Sequence, residues 1–125
     1  MTRLAGARRT DGRVASIVGA LLAAVERVSP VVRFRVEGDS MAPAFRPGDR
    51  LLVNRLAYVF RGPRPGDVVV LRDPEVGGRL LLKRVAAVEG ERYVVLGDNA
   101  EGSRDSRTFG PVRRSDIVGK ALFRY

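Results

Sequence analysis

The stretch "LLLKRVAAVEGERYVVLGD", residues 80–98, holds two consecutive apolar runs of strand length and decides the fold class. Both runs are rich in Val and Leu, which favour β-strands, and polar or glycine residues bound them. Four similar runs occur in residues 31–125: "VVRFRVEG" (31–38), "DRLLVNRL" (49–56), "GDVVVLRD" (66–73) and "DIVGKALFRY" (116–125). Clusters of turn-forming residues such as "FRPGD" and "DPEVGG" separate the runs. Six short strands with little helix predict a mainly β domain, either an antiparallel barrel or a coiled sheet.

Residues 1–30 have a different composition from the rest of the chain. A basic tail with four arginines comes first: Arg3, Arg8, Arg9 and Arg13. The apolar run Val14–Val25 follows at helical spacing, and Ser29-Pro30 ends the predicted helix. At twelve residues this run is shorter than the about 20 that a membrane-spanning helix requires. We therefore divide the chain into a basic tail with a short amphipathic helix (1–30) and a β-domain (31–125).

The predicted helix has two possible environments. A basic tail beside an apolar helix face is typical of a segment that lies on an anionic membrane surface. A helix that packs on its own β-domain has the same pattern. We expect a membrane-associated protein, with a cytoplasmic location as the alternative.

The composition excludes several kinds of active site. The 125 residues include no Cys and no His, so disulfides, thiolate nucleophiles and a Ser-His-Asp triad are excluded. We expect no cofactor and no metal site. The net charge of +9 suggests an anionic partner, but the eight aromatic residues do not interleave with the arginines, so nucleic acid is not the expected one.

Lys83 is the first candidate for a catalytic group. Side chains alternate in a strand, so Lys83 shares a face with Leu81 and Val85. A lysine on an apolar face loses hydration, which lowers its pKa and lets the neutral amine accept a proton. The alternative is a lysine whose stem packs while its ammonium reaches water. The strand alone leaves both readings open.

The loop "GDNAEGSRDSRTFG", residues 97–110, is the second candidate feature. Its small polar residues are common turn formers, but their density exceeds what one turn requires. The Ser103 hydroxyl is suited to orienting a neutral lysine, and an Asp105–Arg107 ion pair would brace the loop.

Four sequence boxes together resemble the type I signal peptidases, serine proteases with a Ser/Lys dyad. In chain order they are "GDSMAP" (38–43), "GDVVVLRDP" (66–74), "LLLKRV" (80–85) and "GDNAEGSRDSRTFGPV" (97–112). The resemblance covers about Val36 to Gly119 and includes the small maturation proteases of nickel-type superoxide dismutase. It implies the coiled β fold of that family, here with one short N-terminal helix.

The resemblance also implies a role for each matching residue. Ser40 is the implied nucleophile and Lys83 its general base. The Ser40 N–H would hold the oxyanion, and Gly38 stands where many relatives carry a second, hydroxyl donor. The other implied members of the site shape the nucleophile turn or support the lysine: Asp39, Met41, Pro43, Ser103, Asp105 and Arg107.

The resemblance predicts a serine endopeptidase that removes an N-terminal signal or pro-peptide through an acyl-enzyme and cleaves after small residues. The expected partner is a polypeptide bound as an extended strand, with an anionic membrane surface as a second partner. One alternative is a maturation protease dedicated to one client, such as nickel superoxide dismutase. The alternative of another class is a non-catalytic basic β-module that binds membrane or nucleic acid.

Overall fold

The protein is described by a computed structural model over residues 3–5 and 30–125. These residues form eight strands: β1 (Arg3–Ala5), β2 (Val31–Glu37), β3 (Arg50–Asn54), β4 (Val68–Arg72), β5 (Leu80–Glu89), β6 (Arg92–Leu96), β7 (Val112–Arg113) and β8 (Ile117–Arg124). The described helical segments are short: a helix, α1 (Ser106–Phe109), and 3₁₀ turns at Ala100–Gly102 and Arg114–Asp116. The six runs predicted from the sequence correspond to β2–β6 and β8, so the prediction of a mainly β fold is confirmed. The predicted N-terminal helix lies outside the described residues.

The strands form one antiparallel sheet in the order β1-β2-β3-β8-β4-β5-β6-β7. Strand β8, last in the chain, lies between β3 and β4 in the middle of this order. Strand β1 pairs with β2 and also with the start of β5. It lies in the stretch 1–30 that the sequence analysis assigned to a basic tail and helix.

Strand β4 lies between two hydrophobic clusters. Its first four residues are buried, and alternate side chains join opposite clusters. Val68 and Val70 belong to the first cluster, which also contains Phe34, Val36, Met41, Leu51, Val53, Leu82 and Ala121. Val69 and Leu71 belong to the second, with Tyr58, Leu81, Val85, Val95, Val112 and Ile117. These two cores hold β2 and β5, the strands that lead to the candidate site.

Strand β5 keeps its alternation up to the candidate base. Its register shift lies between Val85 and Ala87, after Lys83. Leu81 and Val85 both join the second cluster, as two residues on one face should.

No helix in the described part of the chain is both long enough and apolar enough to cross a membrane.

Candidate active site

The chain turns sharply between β2 and Ser40. Gly38 adopts φ 77°, a left-handed conformation that favours glycine over residues with a side chain. The turn is closed by the Ala42 N–H, which donates to the Asp39 carbonyl at 3.0 Å. The hydroxyl donor that many relatives carry at position 38 would therefore require a strained backbone here.

The residues after Ser40 anchor this turn in the core. Met41 is fully buried in the first hydrophobic cluster, and its carbonyl accepts the Phe45 N–H at 2.9 Å. The peptide bond between Ala42 and Pro43 is cis. Met41 thus ties the loop that carries Ser40 to the sheet.

Ser40 and Lys83 meet, although 43 positions separate them in the sequence. The Lys83 Nζ lies 2.9 Å from the Ser40 Oγ, and both residues are fully buried. Burial disfavours the charged amine and lowers the pKa of Lys83 to about 8, against an opposing effect of the Asp105 carboxylate. A large neutral fraction of this amine is therefore present at mildly alkaline pH.

Ser103 connects the lysine to Asp105. The Lys83 Nζ donates to the Ser103 Oγ at 3.2 Å, and that hydroxyl donates to the Asp105 Oδ2 at 2.7 Å. Because the Ser103 proton is directed at Asp105, its oxygen is left to accept from the lysine. This chain of bonds fixes the direction of one amine N–H and leaves the nitrogen lone pair for Ser40.

Asp105 is buried and held by several donors. The Gly97 N–H donates to its Oδ2 at 2.8 Å, and the Arg107 Nε donates to its Oδ1 at 2.9 Å. Burial alone would raise the pKa of Asp105, but the hydrogen bonds from Arg107, Gly97 and Ser103 outweigh it and hold that pKa well below its usual range. Asp105 therefore stays an anion close to Lys83.

The loop after β6 also makes hydrogen bonds to the turn that carries Ser40. The Asn99 N–H donates to the Ser40 carbonyl at 2.7 Å, and the Asn99 side chain donates to the Asp39 carbonyl at 3.2 Å. The Asp98 N–H points at the Met41 Sδ at 3.4 Å. The predicted nucleophile and the loop that orients its base are thus joined directly.

Gly97 makes this contact possible. A Cβ at this position would overlap the Ser103 side chain and lie 2.8 Å from the Ser40 carbonyl oxygen. Gly97, Asp98 and Asn99 were not among the candidate residues predicted from the sequence, where they occur only within the loop of residues 97–110. The available signal was the glycine directly after the apolar run of β6.

The structure brings the predicted site residues into one cluster. Ser40, Lys83, Ser103, Asp105 and Arg107 form a continuous series of polar contacts. Gly38, Asp39, Met41 and Pro43 form the turn around Ser40. A hydroxyl beside an amine of lowered pKa is an arrangement that can activate a nucleophile.

The sequence of this chain is similar to those of several known proteins. The sequence profile described as "Signal peptidase, peptidase S26" matches residues 10–92 and 88–125. The chain is 36% identical to the mitochondrial ATP-independent inner membrane protease subunit 1b of Arabidopsis thaliana, over 70% of this chain and 65% of that protein. It is 29% identical to the probable signal peptidase I-1 of Synechocystis sp., over 72% of this chain and 68% of the relative. Signal peptidase I V of Bacillus subtilis is 27% identical, over 85% of this chain and 92% of its own length.

Proposed function

Because the chain belongs to the signal peptidase family, peptidase S26, we propose that it is a serine endopeptidase that removes N-terminal signal or pro-peptides with Ser40 and Lys83. The observation that carries this proposal is the 2.9 Å separation of the Ser40 Oγ and the Lys83 Nζ, both fully buried. The similarity to signal peptidases of bacteria supports the same reaction.

Acylation begins with neutral Lys83. Its lone pair accepts the Ser40 proton while the Ser40 Oγ attacks the carbonyl carbon of the scissile peptide bond. The oxyanion of the tetrahedral intermediate accepts a hydrogen bond from the Ser40 backbone N–H. The intermediate collapses when the Lys83 ammonium gives its proton to the leaving amine. An ester joins the N-terminal fragment to Ser40, and Lys83 is neutral again.

Deacylation uses the same two groups. Lys83 accepts a proton from a water molecule, whose oxygen attacks the ester carbon. Collapse of the second intermediate returns the proton to the Ser40 Oγ and releases the new carboxyl terminus. Ser103 and Asp105 keep the amine directed at Ser40 in both halves, so we assign them positioning roles.

The family supports a proposal for the substrate and the location. We propose an extended polypeptide with small residues at positions −1 and −3, as the resemblance implies. The name of the inner membrane protease from Arabidopsis thaliana supports the proposal that this chain acts at a membrane. Membrane association of this chain would place it beside the substrates of such a reaction.

The test is cleavage of a peptide with Ala at −3 and −1, together with mass spectrometry after a serine-directed acylating probe. We expect cleavage and one acyl group on Ser40. Ser40→Ala should lose both, while Ser115→Ala, a change at an exposed serine in a 3₁₀ turn, should keep both. Cleavage that persists in Ser40→Ala would remove Ser40 as the nucleophile.

A further inference from the structure

The edge of β5 that faces away from β4 is shared by two strands. Strand β6 pairs with β5 from Arg84 to Glu89. Before that point β1 pairs with β5, with Arg3 opposite Leu81, two residues before Lys83. The start of β5, just before the candidate base, therefore has β1 on this edge.

Strand β2 has β1 on its other side. Strand β3 pairs with one edge of β2, and β1 pairs with the opposite edge, with Arg3 opposite Glu37 and Ala5 opposite Arg35. Glu37 precedes Ser40 by three residues, and Leu81 precedes Lys83 by two. Strand β1 thus fills a slot, the gap between β2 and the start of β5, whose two strands lead to Ser40 and Lys83.

We propose that β1 is an intramolecular competitor of the extended substrate, whose strand would pair with these same edges of β2 and β5. The proposal rests on the proposed peptidase function. A slot with strand edges on both sides provides backbone donors and acceptors for one added strand. Because β1 already occupies those edges, a substrate strand has to displace it.

The direction of β1 explains why it occupies the slot without being presented for cleavage. From Arg3 to Ala5 the strand runs antiparallel to β2, so it moves away from Ser40 as β2 is followed back from Glu37 to Arg35. Its described peptide groups lie opposite residues 35–37 rather than beside Ser40. A strand of three residues is short enough to exchange with a substrate.

The competition lowers the apparent affinity by the fraction of chains in which the slot is open. The apparent Kd equals the intrinsic Kd divided by that fraction, so a slot open in about one tenth of chains weakens binding about tenfold. Disrupting β1 should remove that factor.

The experiment compares full-length chains that differ in β1, all with Ser40→Ala so that binding is measured without turnover. Leu4→Pro removes a backbone N–H and disfavours a paired strand, and Leu4→Ala is the matched control. The probe is a fluorescein-labelled peptide with Ala at −3 and −1, and anisotropy gives its Kd. We expect a three- to tenfold lower Kd for Leu4→Pro than for the control, and the same for Arg3→Pro.

The remaining outcomes decide against the proposal. An unchanged or higher Kd in folded Leu4→Pro and Arg3→Pro would show that β1 does not compete. Unfolding of these variants would make β1 a required part of the fold and overturn the proposal as well. Failure of the chain with intact Ser40 to cleave this peptide would contradict the proposed function, while the binding comparison in Ser40→Ala would still decide the role of β1.

A second inference comes from the loop between β3 and β4, on a different surface. Three apolar side chains of this loop are exposed: Leu56 by 57%, Val59 by 58% and Phe60 by 99%. Tyr58 between them is buried, and its hydroxyl donates to the Asp67 Oδ2 at 2.7 Å. The buried tyrosine anchors a loop that displays its apolar neighbours to solvent.

The positive charge around these exposed apolar side chains indicates which partner they bind. Arg55, Arg61 and Arg64 flank the apolar side chains in sequence and are exposed. Apolar groups that insert and basic groups that stay at the headgroups fit an anionic bilayer surface. We infer that the loop 55–64 docks the protein on anionic membranes.

Vesicle sedimentation tests this second inference on the full chain. The probe is a phosphatidylcholine vesicle with one third phosphatidylglycerol, at low salt. We expect the double substitution Val59→Ser with Phe60→Ser to reduce the partition coefficient at least fivefold. Val88→Ser, which changes an apolar side chain 44% exposed at the end of β5, should sediment like the parent.

Either of two results would overturn the membrane inference. One is a parent chain that stays in the supernatant with these vesicles. The other is a double variant that sediments like the parent, which would shift membrane binding to another segment, including residues 1–30.

Discussion

At the scale of single residues, the proposed chemistry depends on one amine. A chain without histidine has Lys83 within 2.9 Å of the Ser40 hydroxyl, and burial lowers the pKa of that lysine to about 8. Arginine would keep the positive charge, but it cannot give up its proton in a protein. The proposed mechanism therefore depends on the lysine being neutral as well as on its position.

The pH dependence of cleavage tests this requirement. We expect kcat/KM to rise with pH along a limb with its midpoint near 8, because only the neutral amine accepts the Ser40 proton. Lys83→Arg should lower kcat by about 10⁴-fold or more at every pH. The other lysine supplies the control, since Lys120→Arg should keep the parental profile. A rate that is constant from pH 6 to pH 10 would contradict the general-base role.

Asp105 should influence the pH at which the cleavage rate rises. Its carboxylate raises the pKa of Lys83, so Asp105→Asn should move the midpoint of the rate limb to lower pH by about one unit. We also expect kcat to fall, because Ser103 loses the acceptor that fixes its proton. Asp98→Asn, a change in the same loop at a carboxylate that pairs with Arg84, should leave the midpoint in place. A lower kcat with an unshifted midpoint would leave Asp105 with a structural role only.

At the scale of elements, the loop after β6 and the turn after β2 act as one unit. Asn99 bonds the backbone of Ser40 and Asp39, while Ser103 in the same loop bonds Lys83. These two elements of the candidate active site can approach this closely because Gly97 has no side chain.

Adding a methyl group at Gly97 should separate these elements. Gly97→Ala places a Cβ against Ser103 and the Ser40 carbonyl, so we expect a loss of about 1–3 kcal/mol in the free energy of unfolding. Cleavage should fall as well, because the Ser40–Lys83 distance depends on this contact. Gly77→Ala has no atom within 4 Å of its Cβ and should change neither quantity. Full activity in Gly97→Ala would show that the loop can shift without cost to the site.

At the scale of the whole molecule, the buried lysine couples stability to pH. The folded-state pKa near 8 lies below the value of 10.5 for an unperturbed lysine, so the unfolded chain binds more protons between these values. Stability therefore rises with pH in this window, and the penalty for protonating the buried amine is fully present below it.

This coupling can be measured against a variant without the amine. Between pH 7.5 and 9.5 we expect the free energy of unfolding of the parent to rise by about 2 kcal/mol relative to Lys83→Met. Urea unfolding at the two pH values provides the comparison. A parallel pH response of both proteins would mean that Lys83 has the same pKa in the folded and unfolded states.

Much of the fold was predictable because its signals are local. The six apolar runs became β2–β6 and β8, and the family comparison confirms the resemblance that was read from the four boxes. Strand β1 and the two-residue β7 had no such signal, since Arg3–Ala5 is short and is held by pairing with distant strands. The role of Gly97 was also hidden, because it depends on Ser40 and Ser103 meeting in space.

Because the chain has few lysines, the amine of the Ser40–Lys83 pair can be observed directly by NMR spectroscopy. Of the 23 basic residues only two are lysines, Lys83 and Lys120. Nitrogen-15 labelling confined to lysine would therefore give two side-chain resonances, one from the buried amine and one from an amine that lies 3.5 Å from Asp67 at the surface. Following both across a titration reads the protonation state of the proposed base in the resting protein, with no substrate present. NMR spectroscopy can thus distinguish an inactive preparation from a wrong assignment of Lys83 as the general base, before any substrate protein is known.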